Sequence, residues 1–183
     1  MRTVLTLTLS LLAPASMTSA QEWFQHEFGE LRAYHGDWLA VCDDNGDGPC
    51  RMVQSAKDEG SDAAFDSRLS GQMIEGPNDW TFVVMDRGMP ASDLSRLWVE
   101  IDGTSIEIPG WSLGENGMEN VAETVTVTDP AVTGPLLDAM KAGGRMTVRY
   151  APAGSGDGQS TYSLRGVTAA ANAIDARVKA RLE

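Results

Sequence analysis

Apolar residues recur at every second position in short runs along most of this chain, a period that admits little besides strands. Trp80, Phe82 and Val84 alternate, as do Leu97, Val99 and Ile101; Val121, Val125 and Val127; and Met146, Val148 and Tyr150. Phe65, Leu69 and Met73 keep the same parity through Ser67 and Gly71. Successive strand side chains point to opposite faces, so each run buries one face and wets the other. Turn formers separate the runs: Gly76-Pro77-Asn78-Asp79, Asp102-Gly103, Pro109-Gly110 and Gly154-Ser155-Gly156-Asp157-Gly158. The pattern predicts an all-β chain, folded as an antiparallel sandwich or barrel.

Two stretches break the period. Pro135 to Ala142 is expected as a short helix, with proline in its first turn and Gly143-Gly144 ending it. Thr168 to Leu182 is expected as a longer one, with Ala170, Ile174, Val178 and Leu182 on one stripe that docks on a sheet. Arg177, Lys179 and Arg181 near its end suit the helix dipole. Gln21 to Tyr34, polar with scattered aromatics, reads as a lead-in that is partly helical at best, which puts His26 and His35 ahead of the first strand.

Cys42 and Cys50 flank Asp43-Asp44-Asn45-Gly46-Asp47-Gly48-Pro49, a segment of turn formers between two strand-like runs. An antiparallel hairpin that sets Cys42 opposite Cys50 also sets Ala40 opposite Met52 and Trp38 opposite Gln54. One register therefore joins the sulfurs and gathers Trp38 and Met52 on one face. A disulfide across so short a loop is worth about 2.5 kcal/mol in the chain-entropy account. The thiols are too far apart in sequence for a Cys-x-x-Cys redox motif.

The amino terminus agrees with an oxidising compartment. Met1-Arg2 gives a positive start, Val4 to Ala13 an apolar stretch, and Thr18-Ser19-Ala20 a small-residue exit. Residues 1–20 are read as a cleavable signal peptide and 21–183 as a single domain, periplasmic or secreted. The apolar stretch is too short for a membrane span, and no later stretch serves as a transmembrane anchor. The formal net charge of −12 is spread along the chain. Without a basic footprint, nucleic acid is excluded as a partner.

No reaction can be read from the remaining residues. Neither histidine sits in a nucleophile or zinc motif, no serine lies in a G-x-S-x-G elbow, and the Gly154–Gly158 loop joins strands instead of opening a helix. The expectation is a protein that is no enzyme and needs no cofactor. The one alternative is a calcium-binding module or hydrolase built on Asp43, Asn45 and Asp47, which with Gly48 copy the first half of a calcium loop. That loop lacks its closing glutamate, Gln54 standing there instead. A binding surface is expected at two tryptophans. Trp98 is out of phase with its strand, flanked by Arg96 and Glu100, where the carboxyl-terminal helix is a candidate cover; Trp111 follows Pro109-Gly110.

Several strings resemble one family in order. Gly36-Asp37-Trp38-Leu39-Ala40-Val41-Cys42 and Cys50-Arg51-Met52-Val53-Gln54 resemble the opening signature of the invasion-associated locus B family of exported Gram-negative proteins. Leu97-Trp98-Val99-Glu100-Ile101-Asp102-Gly103 is similar to its central strand. Ser163-Leu164-Arg165-Gly166-Val167-Thr168-Ala169-Ala170 is similar to its end, and Leu136 to Tyr150 also fits. Family members commonly carry a second cysteine pair, where this chain offers Trp111 and Met118. The resemblance implies an immunoglobulin-like β-sandwich in the periplasm or envelope and supplies no catalytic residues. The protein expected is monomeric or weakly associating and works by binding an envelope or host protein, of unknown identity.

Overall fold

The computed structural model describes residues 22–73, 76, 79–89, 94–113, 124–152 and 156–183. The stretch read as a signal peptide, and Val121, lie outside the described residues. Among the described residues twelve strands form two antiparallel sheets, with two α-helices. The larger sheet holds β1 (Phe24–His26), β2 (Glu30–His35), β3 (Trp38–Cys42), β4 (Cys50–Ala56), β5 (Ser67–Met73) and β6 (Trp80–Asp86) as a meander in chain order, then β10 (Thr124–Val127) and β9 (Trp111–Leu113). The smaller runs in the order β12 (Gly158–Ser163), β11 (Arg145–Pro152), β7 (Leu94–Ile101), β8 (Thr104–Glu107). The expected β-sandwich is present.

The period-two residues make the core. Trp38, Met52, Leu69, Met73, Phe82 and Val125 from the larger sheet, and Leu97 and Met146 from the smaller, are all at most 2% exposed. Helices α1 (Pro130–Ala142) and α2 (Val167–Leu182) extend this layer: α1 packs on β6 and α2 on β2, β3 and β4. Asp102-Gly103 makes the two-residue turn between β7 and β8, both residues with positive φ, as a hairpin of this length favours. The Asp102 carboxylate also accepts from the Gly144 and Arg145 amides at 2.8 and 3.1 Å, fixing the junction of α1 with β11.

The hairpin register is as expected. Cys42 is bonded to Cys50 and pairs with it, with Ala40 opposite Met52 and Leu39 opposite Val53. Three other expectations change. The lead-in is not helical: it forms β1 and β2, so His26 and His35 lie within strands. Its core-facing residues Leu31, Ala33 and His35 alternate with Glu30, Arg32 and Tyr34, too charged on an edge hairpin for the period to stand out. Helix α1 starts five residues before Pro135, because Asp129 caps it, its carboxylate accepting from the Ala131 amide at 2.9 Å, and Pro130 supplies the first-turn proline. The stripe of α2 ends at Val178, since Leu182 is 68% exposed.

Candidate functional site

The strings at the two ends of the domain meet in space. Asp37 donates its amide to the Arg165 carbonyl at 3.0 Å, and the Trp38 indole donates to the Ser163 carbonyl at 2.9 Å. The Arg165 guanidinium pairs with the Asp37 carboxylate. Gly166 lies against the His35 carbonyl with φ +100°. These residues act as a clasp between β3 and the start of α2.

Hydrogen bonds from Arg165 and Ser163 hold the Asp37 carboxyl down at about 2, against a small rise from desolvation. The folded value lies below the usual unfolded one of about 3.9, so this stabilisation is full above that pH and lost as pH falls through 2. Asp37→Asn removes it at every pH. The difference in thermal midpoint between wild type and variant is therefore expected to shrink from pH 5 to pH 2. A constant difference over that range contradicts the assignment.

The acidic loop does not gather its three candidate ligands. Asp43 pairs with Arg51 at 2.6 Å, and the Asn45 side-chain oxygen accepts from Gln25 at 2.6 Å. Asp47 shares a groove with Arg177 and Arg181 of α2. The carbonyls of Gly46 and Gly48 accept from Arg177 and Arg181. Among the described residues no group of three or more His, Cys, Asp or Glu is placed to hold a metal ion. The loop serves as the docking point for the end of α2.

The tryptophans of the expected surface are not neighbours. Trp98 lies on the outer face of the smaller sheet, only 7% exposed, with the Arg96 guanidinium 4.4 Å from its ring centre. Arg96 is paired with Glu107 at 2.7 Å, and Arg149, opposite Trp98, with Glu100 at 3.0 Å. The Arg96 guanidinium covers the ring; α2 lies elsewhere, on β2 to β4. Trp111 is half-buried in β9, an edge strand of the larger sheet, opposite the core residue Val127.

A buried polar cluster joins the sheets. Asp86, 8% exposed at the end of β6, accepts from the Ser160 hydroxyl and from the Gly88 amide at 2.8 Å. Burial pushes the nearby Tyr162 hydroxyl up to about 12, and Tyr150 higher still, so both stay protonated. Through the Ser160–Asp86 bond the cluster pins β6 to β12.

A cleft lies on the outer face of the larger sheet. It has a volume of about 400 Å³, within the range of small-ligand sites, and its walls include Arg51, Arg68, Ser70, Gln72, Val83, Met85 and Thr124. Register explains the grouping. Arg68, Met85 and Thr124 form one row across β5, β6 and β10, and Ser70 and Val83 belong to the next. Arg51 at one end is matched by Glu30 at 2.8 Å and Asp43. Burial raises the Glu30 carboxyl, but Arg32 and Arg51 outweigh it and hold it below its ordinary value.

The chain belongs to the invasion associated locus B family. Its family model matches residues 38–175, beginning at the clasp tryptophan and ending within α2. The fold is similar to the crystal structure of invasion associated protein B from Bartonella henselae, with a TM-score of 0.55 and 17% identity, over 81% of this chain and 99% of that one. No curated protein matches the chain. Family and disulfide together indicate an extracytoplasmic location. Among the described residues no helix is long and apolar enough to cross a membrane. Sequence reading missed the cleft, whose signal was Val83 and Met85, apolar residues on the face of β6 read as wet.

Proposed function

We propose that this locus B family member is exported by signal-peptide cleavage near Ala20 and works in the periplasm as a non-catalytic binding protein. The outer face of its larger sheet is the binding face. The cleft over β4, β5, β6 and β10 carries this reading, because it sets charged, polar and apolar groups around one cavity. The residues available for chemistry point the same way. His26 accepts from a backbone amide at 3.3 Å, and His35 turns a buried Nε2 without a partner among the described residues. Among the described residues neither makes a hydrogen bond to a serine, the contact such chemistry uses.

A photo-crosslinking residue at Gln72, on the cleft wall, tests this in the exporting cell. The same residue at Gln159, on the outer face of the smaller sheet, is the control. A discrete adduct from position 72 and none from 159 is the expected result. No adduct from 72, or the same pattern from both positions, overturns it.

A further inference from the structure

Resting on that binding face, we propose that the cleft takes a small amphiphilic carboxylate, its head between Arg68 and Thr124 and its apolar body on Val83 and Met85.

Three observations carry this. The first is charge. Among the described residues Arg68 has no carboxylate partner; its guanidinium lies 4.1 Å from the Phe65 ring centre and its Nε donates to the Ser55 hydroxyl at 3.3 Å. Burial, and then the nearby Arg51 charge, lower its pKa, but an arginine stays protonated at any physiological pH. A guanidinium presents five donors in a fork that matches a carboxylate, so most of its donors here await an acceptor.

The second is Thr124. It is 2% exposed, lines the cleft, and its hydroxyl has no hydrogen-bond partner among the described residues. A buried hydroxyl without a partner is destabilising, and a ligand oxygen relieves that. The third is spacing. Arg68 and Thr124 flank Met85 in one row of three strands, about 10 Å apart at the backbone given a strand spacing of about 4.8 Å. Both line the same cleft, and the Arg68 guanidinium, which rests on Ser55 of β4 and Phe65, reaches a head above Met85 by swinging toward β6.

A singly charged head follows from the balance. Arg51 is already matched by Glu30 and Asp43, which leaves one free cation in the cleft among the described residues. Val83 and Met85 then favour an apolar body over a second charged group, because burying their surface is favourable and burying an unmatched charge is not. In a chain of net charge −12, an uncompensated arginine in a cavity also gives an anion a local site against a repulsive overall field.

Octanoate is the probe, titrated into the purified protein and followed by backbone amide shifts. Acetate, octanol and octyl phosphate test head, tail and charge. Saturable shifts at Ser70, Val83 and Thr124 are expected with octanoate, weaker ones with acetate, and none with octanol. Arg68→Gln is expected to weaken octanoate at least tenfold with an unchanged unfolding midpoint, and Thr124→Val to weaken it less. Absence of saturable shifts, equal binding by Arg68→Gln and wild type, or tighter binding of octyl phosphate overturns the carboxylate assignment. If the position-72 adduct persists while octanoate fails, the ligand class falls and the binding face stands; loss of both removes the binding face too.

Discussion

Gly166→Ala is expected to cost about 3–5 kcal/mol, enough to lower the thermal midpoint by about 10 °C or more. A methyl group at this position meets the His35 carbonyl carbon at 2.5 Å and its oxygen closer still. The obstacle is backbone inside a sheet, so it cannot rotate away as a side-chain tip would. The residue also holds φ +100°, which glycine adopts freely and alanine does not. Moving either backbone breaks the 3.0 Å bond from Asp37 to the Arg165 carbonyl and shifts the start of α2. Gly156→Ala is the control. It lies in the loop before β12 with nothing within 4 Å of the added methyl, and is expected to stay within about 0.5 kcal/mol of wild type. Urea unfolding followed by circular dichroism, without reductant, measures both. Equal midpoints for the two variants contradict the close-approach account.

How much of this was legible beforehand depends on whether the deciding contact is local. The Cys42–Cys50 register needed only one hairpin, and α2 announced itself by an alanine-rich stripe with basic residues at its end. The start of α1 was missed because two prolines compete: Pro135 is followed by the clearer helical run, while Asp129 and Pro130 supply the cap. Strands β1 and β2 hid behind charge, since an edge hairpin buries one face incompletely. The clasp is partly legible, as Gly36, Asp37, Trp38 and Gly166 stand in recognisable strings, but that they touch each other is a property of topology. The cleft was not legible at all. Arg68, Met85 and Thr124 come from three strands, two of them joined by a long excursion through β7, β8 and β9, and their shared row exists only once register is set. Trp98 misled in the opposite direction: parity put it on the outer face correctly, but parity says nothing about Arg96 folding over it.

Trp38→Ala is expected to cost about 3–5 kcal/mol, and Trp38→Phe about 1–3. The two substitutions separate the two jobs of this side chain. Trp38 is fully buried, so truncation to alanine loses the transfer energy of the ring and leaves a cavity between β3, β4 and α2. Phenylalanine refills most of that space but has no N–H, which orphans the Ser163 carbonyl now held at 2.9 Å. The penalty for phenylalanine is thus mostly that of one unsatisfied buried acceptor. Because Ser163 ends β12 and precedes the Arg165–Gly166 turn, Trp38→Phe should also speed amide exchange at Val167 and Ala170, whose N–H groups bond back across that turn. Urea midpoints at constant m-value, with hydrogen exchange on the phenylalanine variant, read both effects. A phenylalanine variant as stable as wild type, with unchanged exchange at the start of α2, shows that the indole contributes volume alone and that Asp37, Arg165 and Gly166 hold the clasp without it.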